Sequence, residues 1–69
     1  MQITVNGKQV KTIGPYATYW ELKRLAMPDD ENGRPTIQYT GIRSGVMLPG
    51  DTVELHPSMM FDVVHTDNA

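Results

Sequence analysis

The stretch Gln2-Ile3-Thr4-Val5-Asn6-Gly7-Lys8 decides how the chain begins to fold. Ile3 and Val5 fall on one face of an extended segment, with Gln2, Thr4 and Asn6 on the other, the period of two expected of a half-buried strand. Asn6-Gly7 follows at once. A type I′ turn demands positive φ at both central residues, and Asn-Gly meets that demand with least strain. The chain is therefore predicted to double back into a second strand over about Lys8 to Ile13, with Val10 and Thr12 sharing a face. Ile13 has the wrong parity, which predicts a bulge or an edge twist near it.

Beyond this hairpin, Gly14-Pro15 breaks the strand. Thr18-Tyr19-Trp20-Glu21 then has capping-box spacing: the Thr18 hydroxyl accepts from the Glu21 N–H and the Glu21 carboxylate reaches back. Leu22, Leu25 and Ala26 recur at helical spacing and define the expected buried stripe. Lys23 and Arg24 lie off it, near the C-terminal end, where positive charge suits the helix dipole. With those three residues on the buried side, one of Tyr19 and Trp20 is expected to face outward. Pro28 stops the helix at about Met27, because the residue before proline is pushed out of the helical region. A helix from Thr18 to Met27 is marginal alone and must lean on a sheet.

The segment from Pro28 to Pro35 is polar, and its run Asp29-Asp30-Glu31 reads as a solvated loop. Thr36-Ile37-Gln38-Tyr39-Thr40 alternates as a third strand closed by Gly41. Residues 42–47 fit either a turn or a strand. Leu48-Pro49-Gly50-Asp51 places Pro and Gly where a type II turn wants them. Thr52 to His56 reads as a further strand, and Met60-Phe61-Asp62-Val63-Val64 as the last one. Thr66, Asp67, Asn68 and Ala69 have no apolar periodicity and read as a tail, giving one folded unit over 1–65 and a tail over 66–69.

A hairpin cannot hide its apolar face alone. One helix laid across it, with the later strands joining the same sheet, gives a two-layer α+β domain. The chain returning from the helix can set a late strand beside the first in parallel. The expected fold is thus the β-grasp: a four- to five-stranded mixed sheet packed on one helix.

Length and composition agree. The chain has 69 residues, 39% of them hydrophobic, which is enough for one thin core. It has no cysteine, which removes disulfides, thiolate metal sites and thiol nucleophiles. His56 and His65 with scattered carboxylates make no persuasive zinc set. No nucleophile elbow and no phosphate-cradling glycine loop is present, so no catalytic residue, metal or cofactor is expected. A formal net charge of -2 without a basic block argues against nucleic acid. No apolar run approaches the ~20 residues that span a bilayer. The opening residues have neither the basic start nor the apolar run of a signal peptide, so a cytoplasmic location is expected.

Four segments carry a resemblance. The opening Ile3 to Lys8, the helix start Thr18-x-x-Glu21-Leu22, and Leu48-x-Gly50-Asp51-x-Val53-Glu54-Leu55 resemble bacterial ubiquitin-like proteins. Pro57 to Val64 looks like the closing strand of the prokaryotic multi-ubiquitin family. The resemblance implies a protein modifier served by an activating enzyme, a conjugating enzyme and a deconjugating peptidase. The activating enzyme would adenylate the C-terminal carboxylate with ATP, and Thr66, Asp67, Asn68 and Ala69 would be the conjugation tail. Many members end in Gly-Gly, whereas this sequence ends in Asn68-Ala69. Two other readings stand beside the modifier: a β-grasp adaptor that is never conjugated, and a sulfur carrier, against which the missing Gly-Gly counts. Ubiquitin-like proteins often carry an apolar partner patch on the exposed sheet face, and Ile42, Val46, Met47, Met59 and Met60 are its candidates here. Methionine suits adaptable binding surfaces.

Overall fold

The computed structural model describes residues 1–12, 14–30 and 32–64. The opening hairpin forms as its sequence dictates. Gln2–Val5 (β1) pairs antiparallel with Lys8–Lys11 (β2), Val5 opposite Lys8 across the turn. Asn6 and Gly7 both take positive φ, 50° and 82°. The second strand is shorter than expected, and the bulge predicted at Ile13 lies outside the described residues.

Thr18 caps the helix Tyr19–Ala26 (α1) with a complete capping box. The Glu21 N–H donates to Thr18 Oγ1 at 3.2 Å, and the Thr18 N–H donates to Glu21 Oε1 at 2.9 Å. Such a cap contributes about 1 kcal/mol. The expected stripe is corrected by about one helical turn, three residues toward the N-terminus. Tyr19 and Leu22 are wholly buried, whereas Leu25 is half exposed and Ala26 only partly covered. The buried line of α1 runs through Tyr19, Leu22 and Lys23, with Ala26 packed against the core, and this leaves Leu25 to one side of it. Trp20 faces outward, as one of this aromatic pair was expected to do.

Lys23 is a second correction, since it is buried rather than off the packed face. Its ammonium donates to the Asp30 carbonyl and lies 5.8 Å from the centre of the Trp20 ring, close enough for a cation–π contact. The loop after the helix thus folds back to satisfy a charge that burial would otherwise penalise.

A short strand not foreseen from sequence, Tyr16–Thr18 (β3), precedes the helix. Thr36–Thr40 (β4) and Gly45–Met47 (β5) follow it, so the ambiguous 42–47 stretch divides into a loop and a strand. Thr52–Glu54 (β6) pairs with β3 as a separate two-stranded ribbon, not with the main sheet as expected. The ribbon is tied at both ends: Tyr19 N–H donates to Asp51 O at 2.9 Å and Leu55 N–H to Pro15 O at 2.7 Å. Between β5 and β6, Gly50 takes a φ of 97°, which the Leu48–Asp51 turn needs and a side chain would resist.

Met60–Val64 (β7) completes a five-stranded mixed sheet in the order β2-β1-β7-β4-β5. It runs parallel to β1, with Thr4 beside Met60 and Val5 beside Phe61, and antiparallel to β4. Thr4 N–H donates to Met59 O at 2.8 Å and Asn6 N–H to Phe61 O at 2.9 Å. One sheet face, carrying Ile3, Val5, Ile37, Met47, Phe61 and Val63, is buried with Tyr19 and Leu22 of α1. Each such aliphatic or aromatic side chain gains about 1.5–3 kcal/mol on burial. One helix over a mixed sheet, with first and last strands parallel at its centre, is the β-grasp.

The Tyr19 hydroxyl donates to the buried Pro35 carbonyl at 2.5 Å. Burial raises its pKa above the ordinary value of 10.0, against a lowering by Arg34 and with a further raise from Asp30.

Candidate functional site

Residues paired across a sheet share a face. On the side away from the helix, Thr4, Met60 and Thr40 therefore lie in one row, and Asp62, Gln38 and Val46 in the next. Val64 stands opposite Thr36. Met60, Val46 and Val64 are each 52% exposed, and Leu48, just beyond β5, is 57% exposed. These four side chains stand among threonine, glutamine and aspartate, with Asp62 between Met60 and Val64 along β7 and Gln38 between Asp62 and Val46 across the sheet. Apolar residues at this exposure on a sheet face suit protein contact.

The five candidates named from sequence divide three ways. Val46 and Met60 stand on this outward face. Ile42 is the most exposed large apolar residue described, at 75%, but it lies in the loop between β4 and β5 and borders a different groove with Tyr39, Val53 and His56. Met47 and Met59 are corrections, because both are buried in the core. Met47 shares the inward face with Ile37, its cross-strand partner, and the Met59 sulfur accepts from the His56 N–H at 3.2 Å. Sequence reading missed Leu48 and Val64. Strand parity was the available signal for Val64, since Phe61 and Val63 inward leave Met60, Asp62 and Val64 outward.

His56 lies 3.5 Å from Glu54 on the surface. Among the described residues no group of three or more histidines or carboxylates could hold a metal ion. No helix among them is long and apolar enough to cross a membrane. Thr66 to Ala69, the expected conjugation tail, and His65 lie outside the described residues.

The family model described as multiubiquitin matches residues 1–67, through every strand of the sheet and past the end of β7. The chain belongs to the multiubiquitin family. No curated protein and no solved structure matches it. In this multiubiquitin-family chain Val46, Met60 and Val64 lie on the sheet face opposite α1. The last strand of this multiubiquitin-family fold sits centrally, between β1 and β4.

Proposed function

We propose that the chain is a ubiquitin-like protein modifier, activated at its C-terminal carboxylate by a partner activating enzyme and passed to a conjugating enzyme. The observation that carries this reading is the family match over residues 1–67, which takes in the whole sheet and the first three residues after β7. In such a step the carboxylate attacks the α-phosphorus of ATP and expels pyrophosphate. A cysteine thiolate of the enzyme then displaces AMP from the acyl-adenylate and holds the chain as a thioester. The modifier supplies no catalytic group, only a folded surface to grip and a tail to thread. The outward face around Val46 and Val64 is the surface we assign to that grip, and Thr66 to Ala69 is the tail.

The test is incubation of the full chain with the activating enzyme, ATP and Mg²⁺, followed by intact-mass analysis. An acyl adduct on the enzyme, sensitive to thiol and dependent on ATP, is expected. Deleting Ala69 should change its yield, and an adduct indifferent to that deletion would remove the tail from the mechanism. A non-conjugated adaptor, the other reading, would bind through the same sheet face and give no adduct.

A further inference from the structure

The strand β5 ends the sheet on the side away from β2, paired only with β4. Which of its backbone groups face outward follows from hydrogen bonds two strands away. The Met59 and Phe61 carbonyls accept from Thr4 and Asn6 on the β1 side, and both backbone groups of Val63 bond the Asn6 side chain there. The N–H and C=O of one strand residue point to the same edge, and that edge alternates along the strand. Met60, Asp62 and Val64 therefore bond β4, through Thr40, Gln38 and Thr36. Ile37 and Tyr39 then bond Met47 and Gly45 of β5. Val46 is left with both its N–H and its C=O turned away from the sheet.

Leu48 has the same parity, but its backbone groups are already taken. Its N–H donates to Asp51 Oδ2 at 2.8 Å, and its carbonyl accepts from the Asp51 N–H at 2.9 Å. The Leu48–Asp51 turn thus closes one end of the edge and leaves Val46 as the open residue within β5. An edge whose open groups belong to one residue is self-complementary. About a twofold axis at Val46, the N–H of each copy meets the C=O of the other, the exchange of both bonds that marks a bonded antiparallel pair.

Charge favours the same partner. Residues 44–50 carry none, while Arg43 precedes them and Asp51 follows. Antiparallel pairing of two copies brings the Arg43 end of each against the Asp51 end of the other. Arg43 is exposed and forms no ion pair among the described residues. The opposite edge is built the other way: Lys8 and Lys11 lie on β2, where a self-pair would set like charges together. We propose that β5 docks a second copy of this chain, edge to edge and antiparallel about Val46, joining two five-stranded sheets into one of ten strands. The outward Val46 side chains of the two copies then stand side by side. Two main-chain bonds and a narrow contact make this a weak, reversible association. Neither activation nor conjugation enters it, so it can be present whether or not the chain is a modifier.

The experiment is a dilution series of the ¹⁵N-labelled full chain, with no enzyme present, followed by NMR and sedimentation. From micromolar to millimolar chain, shifts are expected at the Gly45, Val46 and Met47 amides, with hydrogen exchange at Val46 slowed. V46K and V46E, altered at an exposed position, should each retain their thermal midpoint. Each should associate at least about tenfold more weakly than the unsubstituted chain, because like charges then meet at the axis. Mixed in equal amounts they should associate again, since opposite charges then stand across the same pair. Three outcomes overturn the proposal: no concentration-dependent shift up to millimolar chain, shifts confined to β2 or to the Met60 and Val64 amides, or a V46K and V46E mixture as weak as either variant alone.

Discussion

The side-chain amide of Asn6 engages both backbone groups of Val63. Its Oδ1 accepts from the Val63 N–H at 2.7 Å and its Nδ2 donates to the Val63 carbonyl at 3.3 Å. Asn6 thus does two things at once, since it also takes the left-handed φ of 50° at the hairpin turn. Its amide continues the parallel β1–β7 pairing one step past the end of β1. A local turn residue and a contact spanning 57 positions are the same residue.

Two substitutions separate those roles. Asn6→Gly keeps the turn but loses the amide, and should cost about 1–2 kcal/mol. Asn6→Ala loses both and should cost about 2–3 kcal/mol, with the left-handed strain added. Urea unfolding midpoints at unchanged slope measure the order. Equal costs would mean that the turn conformation contributes nothing.

Tyr19 ties stability to alkaline pH. Its folded pKa lies above the ordinary 10.0, so the folded state holds its proton more tightly than the unfolded chain does. The resulting stabilisation is complete below about pH 10 and is lost as pH rises through the folded value. Tyr19→Phe should cost about 1–2 kcal/mol at neutral pH, by leaving the Pro35 carbonyl unpaired. It should also flatten the fall in stability above pH 10, which denaturant titrations across that range would detect. An unchanged alkaline slope would assign the fall to other groups.

The helix has one buried leucine and one exposed leucine. Leu22→Ala should destabilise the fold by about 2–5 kcal/mol, the cost of a cavity beneath α1. Leu25→Lys should stay within about 0.5 kcal/mol, as exposed substitutions usually do. Thermal unfolding of the two variants distinguishes them directly, and a reversed order would contradict the helix register described.

On the outward face, Val46→Asp and Val64→Asp alter exposed side chains and should leave stability within about 0.5 kcal/mol. They should weaken capture by the activating enzyme about tenfold or more, the usual range for a residue at the centre of an interface. Calorimetric titration gives both affinity and stoichiometry. Unchanged affinity would move the grip elsewhere, to the Ile42 loop.

What was legible in the sequence was local chemistry. Asn6-Gly7 specifies a turn whatever surrounds it, and Thr18 with Glu21 specifies a helix start from four consecutive residues. Those two signals, with the late strand Met60–Val64, sufficed for the β-grasp. The strand Tyr16–Thr18 escaped because its partner, Thr52–Glu54, is far along the chain and only three residues long. Lys23 looked solvent-facing because the Asp30 carbonyl that receives it belongs to a loop with no pattern of its own. In the partner patch, methionine chemistry pointed outward for Met47 and Met59, but β5 register and the turn before β7 place them inside. Parity along β7 would have supplied Val64. The tail residues Thr66 to Ala69 remain an expectation carried by the family.

The most direct measurement is whether this chain becomes covalently joined to another protein. An epitope-tagged full chain, co-expressed with the activating and conjugating enzymes, would be separated under fully denaturing conditions and digested for mass spectrometry. The expected result is a ladder of heavier species and a branched peptide in which the chain's last carboxylate is linked to a nucleophile of the target. Free chain alone, with both enzymes shown to be active on another modifier, would contradict the modifier reading and leave an adaptor.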